Sequence, residues 1–452
     1  ATHSANALDV PLAGAKGDTV RVRIVYDGPV HDGLVVRQDA KGRWTWFGDN
    51  WPDRTRQWLP TVDHPSDKAT VSWTVRAPTG RTVVGNGVPL GTKALGAGRT
   101  ETRWRESRPI PPSLMVIAAG PLVRFDLGET ACRNGDQPQC VPQSVYVLPE
   151  NQSWLPGAFK SAGPIVALFQ DLVGPFPYEK LAHLQSNTRF GGMENASNIF
   201  YDGKLFPTQR VSDGLIAHET AHQWFGDAVT EREWAHLWLS EGFADYFAAL
   251  WAQHAHGDTA FKREMAGMRA KILADPVVAS RPVIDTAQTN YLELLNTNSY
   301  DKGAWVLYML HQQIGDSAFF QGLRSYYAKY RDSTALSDDL RHELEQASGR
   351  TLGQFFDQWL RRPGFAEPAI GWAFDPSTGN VSLFVQQESA RGPYAFPLTV
   401  VVTDAGGVPH RLSVSVPAEP RATLPLTGRF DRKPKSLAFD PDSLLLARIT
   451  RL

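Results

Sequence analysis

His218 and His222 stand four residues apart in the stretch HETAHQWFGD. A helix turns once in about 3.6 residues, so both imidazoles point the same way, about one turn apart. Leu215, Ile216, Ala221 and Phe225 fall on that face as well. Glu219 sits about 100° round from His218, where it can reach the open side of an ion without ligating it. This is the HExxH arrangement of zinc hydrolases. A catalytic zinc needs three protein ligands and one open position. The third ligand is expected from Glu241, with 18 residues between it and His222. That gap suits the loop GDAVTEREW and then a second helix carrying LSEGFADYFAALW. A histidine on an apolar face is usually a packed core residue, and a lone glutamate is usually solvated. The three together at these spacings outweigh that plainer reading. His236, in the loop between the two helices, reads as structural and not as a ligand.

The rest of the chain must supply a frame for this pair of helices. At 452 residues it is long enough for two or three domains. Residues 1–122 are expected to form an N-terminal β domain. TVRVRIVYDG and ATVSWTVRAP alternate apolar and polar residues there, as half-buried strands do. LMVIAAGPLV, at 114–123, reads as a buried strand and its turn. From 123 to 362 helical windows follow one another: 155–173, 212–225, 237–256, 258–274, 301–314, 317–331, 337–348 and 351–361. Ser337 reads as the N-cap of the helix in SDDLRHELEQ, ahead of acidic first-turn residues. After RRPGFAEP alternation returns in VSLFVQQES, FPLTVVVTD and HRLSVSVPA, which predicts a C-terminal β-sandwich over 363–452. The expected fold class is therefore α+β and multidomain.

Formal net charge is -1, and no long run of one sign occurs, which argues against a nucleic-acid partner. No apolar run approaches the roughly 18 residues that would span a bilayer. Cys132 and Cys140 are the two cysteines, in ACRNGDQPQC. Thiols that close along the chain predict a small-loop disulfide and an oxidising compartment, so a secreted or periplasmic protein; the plainer alternative is two reduced surface thiols. The opening ATHSANALDV lacks the charged head and apolar core of a signal peptide.

HETAHQWFGD followed by LWLSEGFADY resembles the zinc signature of the aminopeptidase N family, which also contains leukotriene hydrolase. FGGMEN at 190–195 is similar to the family's glycine-x-methionine-glutamate-asparagine motif. NSYDKGAWVLYML at 298–310 resembles its tyrosine-x-lysine-glycine segment, and RQWLPTVDHPSDKAT at 56–70 its N-terminal proline and aspartate signature. The four lie in family order and cover all but the C-terminal sandwich. The resemblance implies a thermolysin-like, mostly helical zinc catalytic domain over 123–362, with one Zn²⁺ per chain on His218, His222 and Glu241.

It also implies an activity. The enzyme would remove N-terminal residues from peptides with a free amino end. Glu219 would be the general base that activates water. Tyr300 would donate to the oxyanion. Gly191, Gly192, Met193, Glu194 and Asn195 would pair with the substrate backbone, with Glu194 accepting from its ammonium. Three departures stand out. Many relatives continue the GxMEN motif with tryptophan-glycine, where this chain has Ala196 and Ser197. A second amine-reading carboxylate or amide would fall at Trp51, which has neither; neighbouring Asn50 offers a neutral oxygen, and the indole offers apolar surface to the first substrate residue. The N-terminal β domain reads as incomplete, lacking roughly its first hundred residues, and no large helical C-terminal domain follows. The alternatives are an epoxide hydrolase with residual peptidase activity, a non-catalytic peptide-binding relative, and a thermolysin-like endopeptidase.

Overall fold

The computed structural model describes residues 2–4, 7–130, 140–388 and 391–452. Cys132 lies outside the described residues, and with it the expected pairing to Cys140. The chain divides into two compact units. The first comprises residues 1–128, 141–158 and 178–211, and the second comprises 129–140, 159–177 and 212–452.

Three sheets of three or more strands build the first unit. A four-stranded antiparallel sheet runs in the order Leu34–Gln38, Trp44–Gly48, Ile117–Gly120, Thr82–Gly85. Its third strand is the core of the apolar run LMVIAAGPLV, and Ala118 and Ala119 are buried as that run predicts. A three-stranded antiparallel sheet pairs Ala69–Pro78 and Val88–Gly96 with the central Arg99–Ile110. The strand Ala69–Pro78 coincides with ATVSWTVRAP.

The buried central strands of the third sheet were not legible from alternation. This sheet has five strands in the order Val123–Glu129, Pro142–Val147, Leu181–Ser186, Asn198–Asp202, Gly192–Met193. Its central strands run parallel, and every residue of Leu181–Ser186 is buried. A strand covered on both faces has no polar side to show, so its sequence loses the period of two. The region after residue 123 is therefore less uniformly helical than its texture suggests. TVRVRIVYDG departs in the opposite direction. Residues 19–28 form no strand, and all ten are exposed. Alternation makes a segment able to pair, but a strand exists only where a neighbour takes its backbone groups.

The second unit is helical at its centre. Its longer helices are Ala162–Leu172, Asp213–His222, Trp238–His256, Asp258–Ala274, Gly303–Ile314, Asp316–Tyr330, Ser337–Ser348 and Gly353–Leu360. Phe169, Trp224, Phe225, Phe243 and Phe247 form a buried aromatic core between the first three. Ser337 is the first helical residue and not the cap. Its hydroxyl accepts from Trp238 Nε1 at 2.8 Å, while the Leu336 N–H is met by Asp339 Oδ2 at 2.8 Å. A C-terminal four-stranded sheet and a three-stranded sheet complete the unit. Val381, Leu383 and Val385 in one, and Phe396, Leu398, Val400 and Val402 in the other, are buried at alternate positions. That is the pattern of two sheets sharing an apolar layer. The fold is α+β, with an N-terminal β region, a helical centre and C-terminal β strands. Among the described residues no helix is long and apolar enough to cross a membrane.

Candidate active site

The HExxH helix starts at Asp213, with the Ser212 hydroxyl accepting from Leu215 N at 3.2 Å. It ends at His222, so both histidines lie in its last two turns. Glu241 sits in the first turn of the long helix Trp238–His256. The two helices pack together, and His218, His222 and Glu241 bring one ligand atom each within 4.8 Å of one another. The two Nε2 atoms are 3.1 Å apart, and Glu241 Oε2 lies 3.4 Å from His218 Nε2 and 3.3 Å from His222 Nε2.

The opposite edge of each imidazole is tied down. His218 Nδ1 meets Asp245 Oδ1 at 2.9 Å, and His222 Nδ1 meets the Ser240 hydroxyl at 2.9 Å. Such bonds fix ring orientation and turn Nε2 towards the shared centre. Burial alone would raise the Glu241 carboxyl, but the imidazoles outweigh it and pull it down to about 2. Two imidazole nitrogens and one ionised carboxylate, converging and individually held, fit the borderline-soft Zn²⁺ ion. Sequence reasoning missed Asp245 and Ser240. The signal was present: both share a helix with Glu241, Asp245 one turn on and Ser240 immediately before.

Two close approaches make this packing possible. Gly226, just past the first helix, has φ +113, and a Cβ there would lie 2.2 Å from Ser240 Oγ. Gly242 and Gly303 let two helices touch backbone to backbone: a Cβ on Gly242 would lie 2.9 Å from Gly303 Cα. Gly303 follows Tyr300 by three residues, so that contact also places the tyrosine. Tyr300 lies in a π-helical turn, Asn298–Lys302, not in the residue before an α-helix. Such turns are rare and are frequently found at functional sites. Its ring stacks on His218, centroids 6.1 Å apart and planes 8° apart. Asp301 fastens the turn to the helix Asp258–Ala274 through Lys271 Nζ at 2.9 Å. Glu219 is buried, 4% exposed, on the same helix as the histidines. His236 is held by Ser337 Oγ at 2.8 Å and takes no part in the ligand group.

Gly191–Asn195 belong to the first unit. Gly192–Met193 is the outermost strand of the five-stranded sheet, paired among the described residues only with Phe200 and Tyr201 on one side. An edge strand of this kind offers backbone groups to an added strand. Glu194 follows it directly and is half-buried. Two expectations at the neighbouring loop fail. Asn50 is 1% exposed, and its Oδ1 already accepts from Trp58 Nε1 at 2.7 Å, while its amide nitrogen donates to Met115 O at 2.7 Å. It is a structural residue. Trp51 is 4% exposed with its ring edge-on to Phe190, so it presents almost no apolar surface to a ligand.

These elements define a gluzincin-type centre: an HExxH helix with a glutamate from the next helix. Comparison with known proteins agrees. Residues 160–359 match the peptidase family M1 domain, and residues 6–114 match the peptidase M1 N-terminal domain. The chain belongs to peptidase family M1. Glutamyl aminopeptidase of Rattus norvegicus is 28% identical over 382 residues, spanning 78% of this chain and 39% of that protein. The structure of Legionella pneumophila aminopeptidase A, in complex with aspartic acid, superposes with a TM-score of 0.79 at 18% identity, covering 92% of this chain and 49% of that one. An M1 zinc metallopeptidase of Deinococcus radiodurans, solved as a glutamate-to-alanine mutant, gives a TM-score of 0.62 at 25% identity over 70% of each chain. The chain thus spans well under half the length of the curated relative it matches.

Proposed function

We propose that the protein is a zinc aminopeptidase, removing single residues from the free amino end of peptides and holding one zinc ion per chain. The observation that supports this most is the ligand group His218, His222 and Glu241, with Glu219 on the same helix and Tyr300 stacked on His218. Zinc, when bound, supplies a Lewis acid that brings the pKa of water down towards about 7. Glu219 takes the proton of the attacking water and later delivers it to the leaving amine nitrogen. The Tyr300 hydroxyl donates to the carbonyl oxygen as negative charge develops on it. Glu194 accepts from the substrate ammonium, and the edge strand Gly192–Met193 pairs with the peptide backbone. Asn195 ends the motif with its side chain fully buried.

Aminoacyl arylamides, with and without an N-acetyl block, test the reading. The free-amine compounds should be hydrolysed and the blocked ones should not. Glu194→Ala should lose more than about tenfold in kcat/KM on the free-amine compounds, since hydrogen bonds to charged groups are worth about 1.5–3 kcal/mol. Equal rates on blocked and free substrates would replace aminopeptidase with endopeptidase. The proposal extends to an oxidising compartment, with Cys132 and Cys140 joined. Non-reducing mass spectrometry of protein made in an oxidising host checks this, and two free thiols there would refute it.

A further inference from the structure

Ala196, Ser197 and Asn198, the residues that follow the GGMEN motif, are almost wholly buried. Each receives a hydrogen bond from a distant part of the first unit. Asn86 Nδ2 donates to Ala196 O at 2.8 Å and to Leu114 O at 2.8 Å. The Asn86 Oδ1 accepts from Val116 N at 2.7 Å, so this amide is fixed from both ends. Gly87 N donates to Ser197 Oγ at 2.8 Å. Lys180 Nζ donates to Ser197 O at 2.8 Å and to Asn198 Oδ1. Asn198 N turns back to Asn195 O at 2.7 Å.

The backbone at Ser197 makes this grip necessary. Its φ is +62, in the left-handed region that residues other than glycine seldom occupy. Side chains in that region persist only where surrounding contacts over-determine them. The Ser197 hydroxyl is one such contact, and the Lys180 ammonium on the Ser197 carbonyl is another. Lys180 is itself costly to bury. Desolvation lowers its pKa to about 7 against the opposing pull of Glu106 and Glu179. Its hydrogen bonds to Ser197 and Asn198 both go to this loop.

Glu194 therefore stands between two fixed points. The paired strand Gly192–Met193 precedes it, and the gripped segment 196–198 follows. We propose that Asn86, Lys180 and Ser197 form a clamp that sets the direction of the Glu194 carboxylate, and so act as positioning residues for capture of the substrate ammonium. The inference rests on the reading of Glu194 as the ammonium acceptor. It makes the Ala196-Ser197 departure a substitution with its own support, the serine hydroxyl anchoring a turn that glycine would adopt freely.

The test uses the zinc-loaded chain and the best substrate of an aminoacyl p-nitroanilide panel, reading KM and kcat separately. Lys180→Met should raise KM by about tenfold and leave kcat within about threefold, because a misplaced contact group weakens substrate capture before chemistry. Ser197→Gly keeps the turn and removes only the hydroxyl, so it should raise KM by about threefold. It decides the matter alone if the lysine variant does not fold. In a Glu194→Ala background neither change should raise KM further. A KM rise of the same size in that background would show general damage and overturn the clamp. Unchanged KM in both folded variants, with Glu194→Ala still impaired, would overturn the clamp and leave the ammonium reading intact. A silent Glu194→Ala would overturn both.

Discussion

Glu219→Gln should reduce kcat by about 10²–10⁴, the usual contribution of a positioned general base. The amide keeps the shape of the side chain but cannot take a proton. Zinc content should stay at the level of the unaltered chain, because His218, His222 and Glu241 all remain to hold the ion. KM should move little. The measurement is steady-state kinetics on a free-amine arylamide, with metal analysis of the same sample. A variant that retains more than about a tenth of the original kcat would remove Glu219 from the proton-transfer role. Tyr300→Phe serves as a reference within the same assay. One oxyanion donor is worth about 10²–10³ in rate, so its loss should lower kcat by that factor and should likewise spare KM.

Removing a proposed metal ligand should abolish activity by a different route. Glu241→Ala deletes one of three ligand atoms and leaves two imidazoles facing a void. Purified protein should fall from about one zinc per chain to nearly none after dialysis, and its activity should fall with it. Asp245→Asn provides a graded control. It preserves all three ligands and weakens only the bond that orients His218, which typically costs about 10–100-fold in metal affinity. Zinc titration against a competing chelator separates the two variants. If Glu241→Ala retained full zinc and full rate, the ligand set proposed for this site would be wrong. If Asp245→Asn matched the unaltered chain, the His218–Asp245 contact at 2.9 Å would be incidental to metal binding.

The difference between what could and could not be read from the chain follows from how local each signal is. His218 and His222 share one helix, so helical period alone put them on one face. Glu241 needed only a loop and a second helix, and the packing of Asp213–His222 on Trp238–His256 delivers it. Strands with one solvated face, such as Ala69–Pro78 and Phe396–Thr403, announced themselves by alternation. Leu181–Ser186, buried on both faces, did not. Residues 19–28 alternated as well and form no strand, because pairing belongs to the neighbours and not to the segment. The π-helical turn at Tyr300 has no period to find, since it is imposed by the contacts that hold it. Asn50 shows the limit of arguing from adjacency: it stands beside the expected position, yet its amide is consumed by Trp58 and Met115.

The bare contact between Gly242 and Gly303 has a bearing on engineering this chain for heat. Replacing helical glycines with alanine is a common route to thermostability, gaining about 0.4–1 kcal/mol where the backbone and the space allow it. Both residues are helical, and neither has a positive φ, so on backbone angles alone both would be chosen. A methyl on Gly242 would meet the Gly303 backbone at 2.9 Å, and one on Gly303 would meet Gly242 Cα at 3.0 Å. One of these helices carries Glu241 and the other continues from the turn of Tyr300. A wedge between them would move a proposed metal ligand and the proposed oxyanion donor apart. A thermostabilised version of this chain has to leave both positions as glycine.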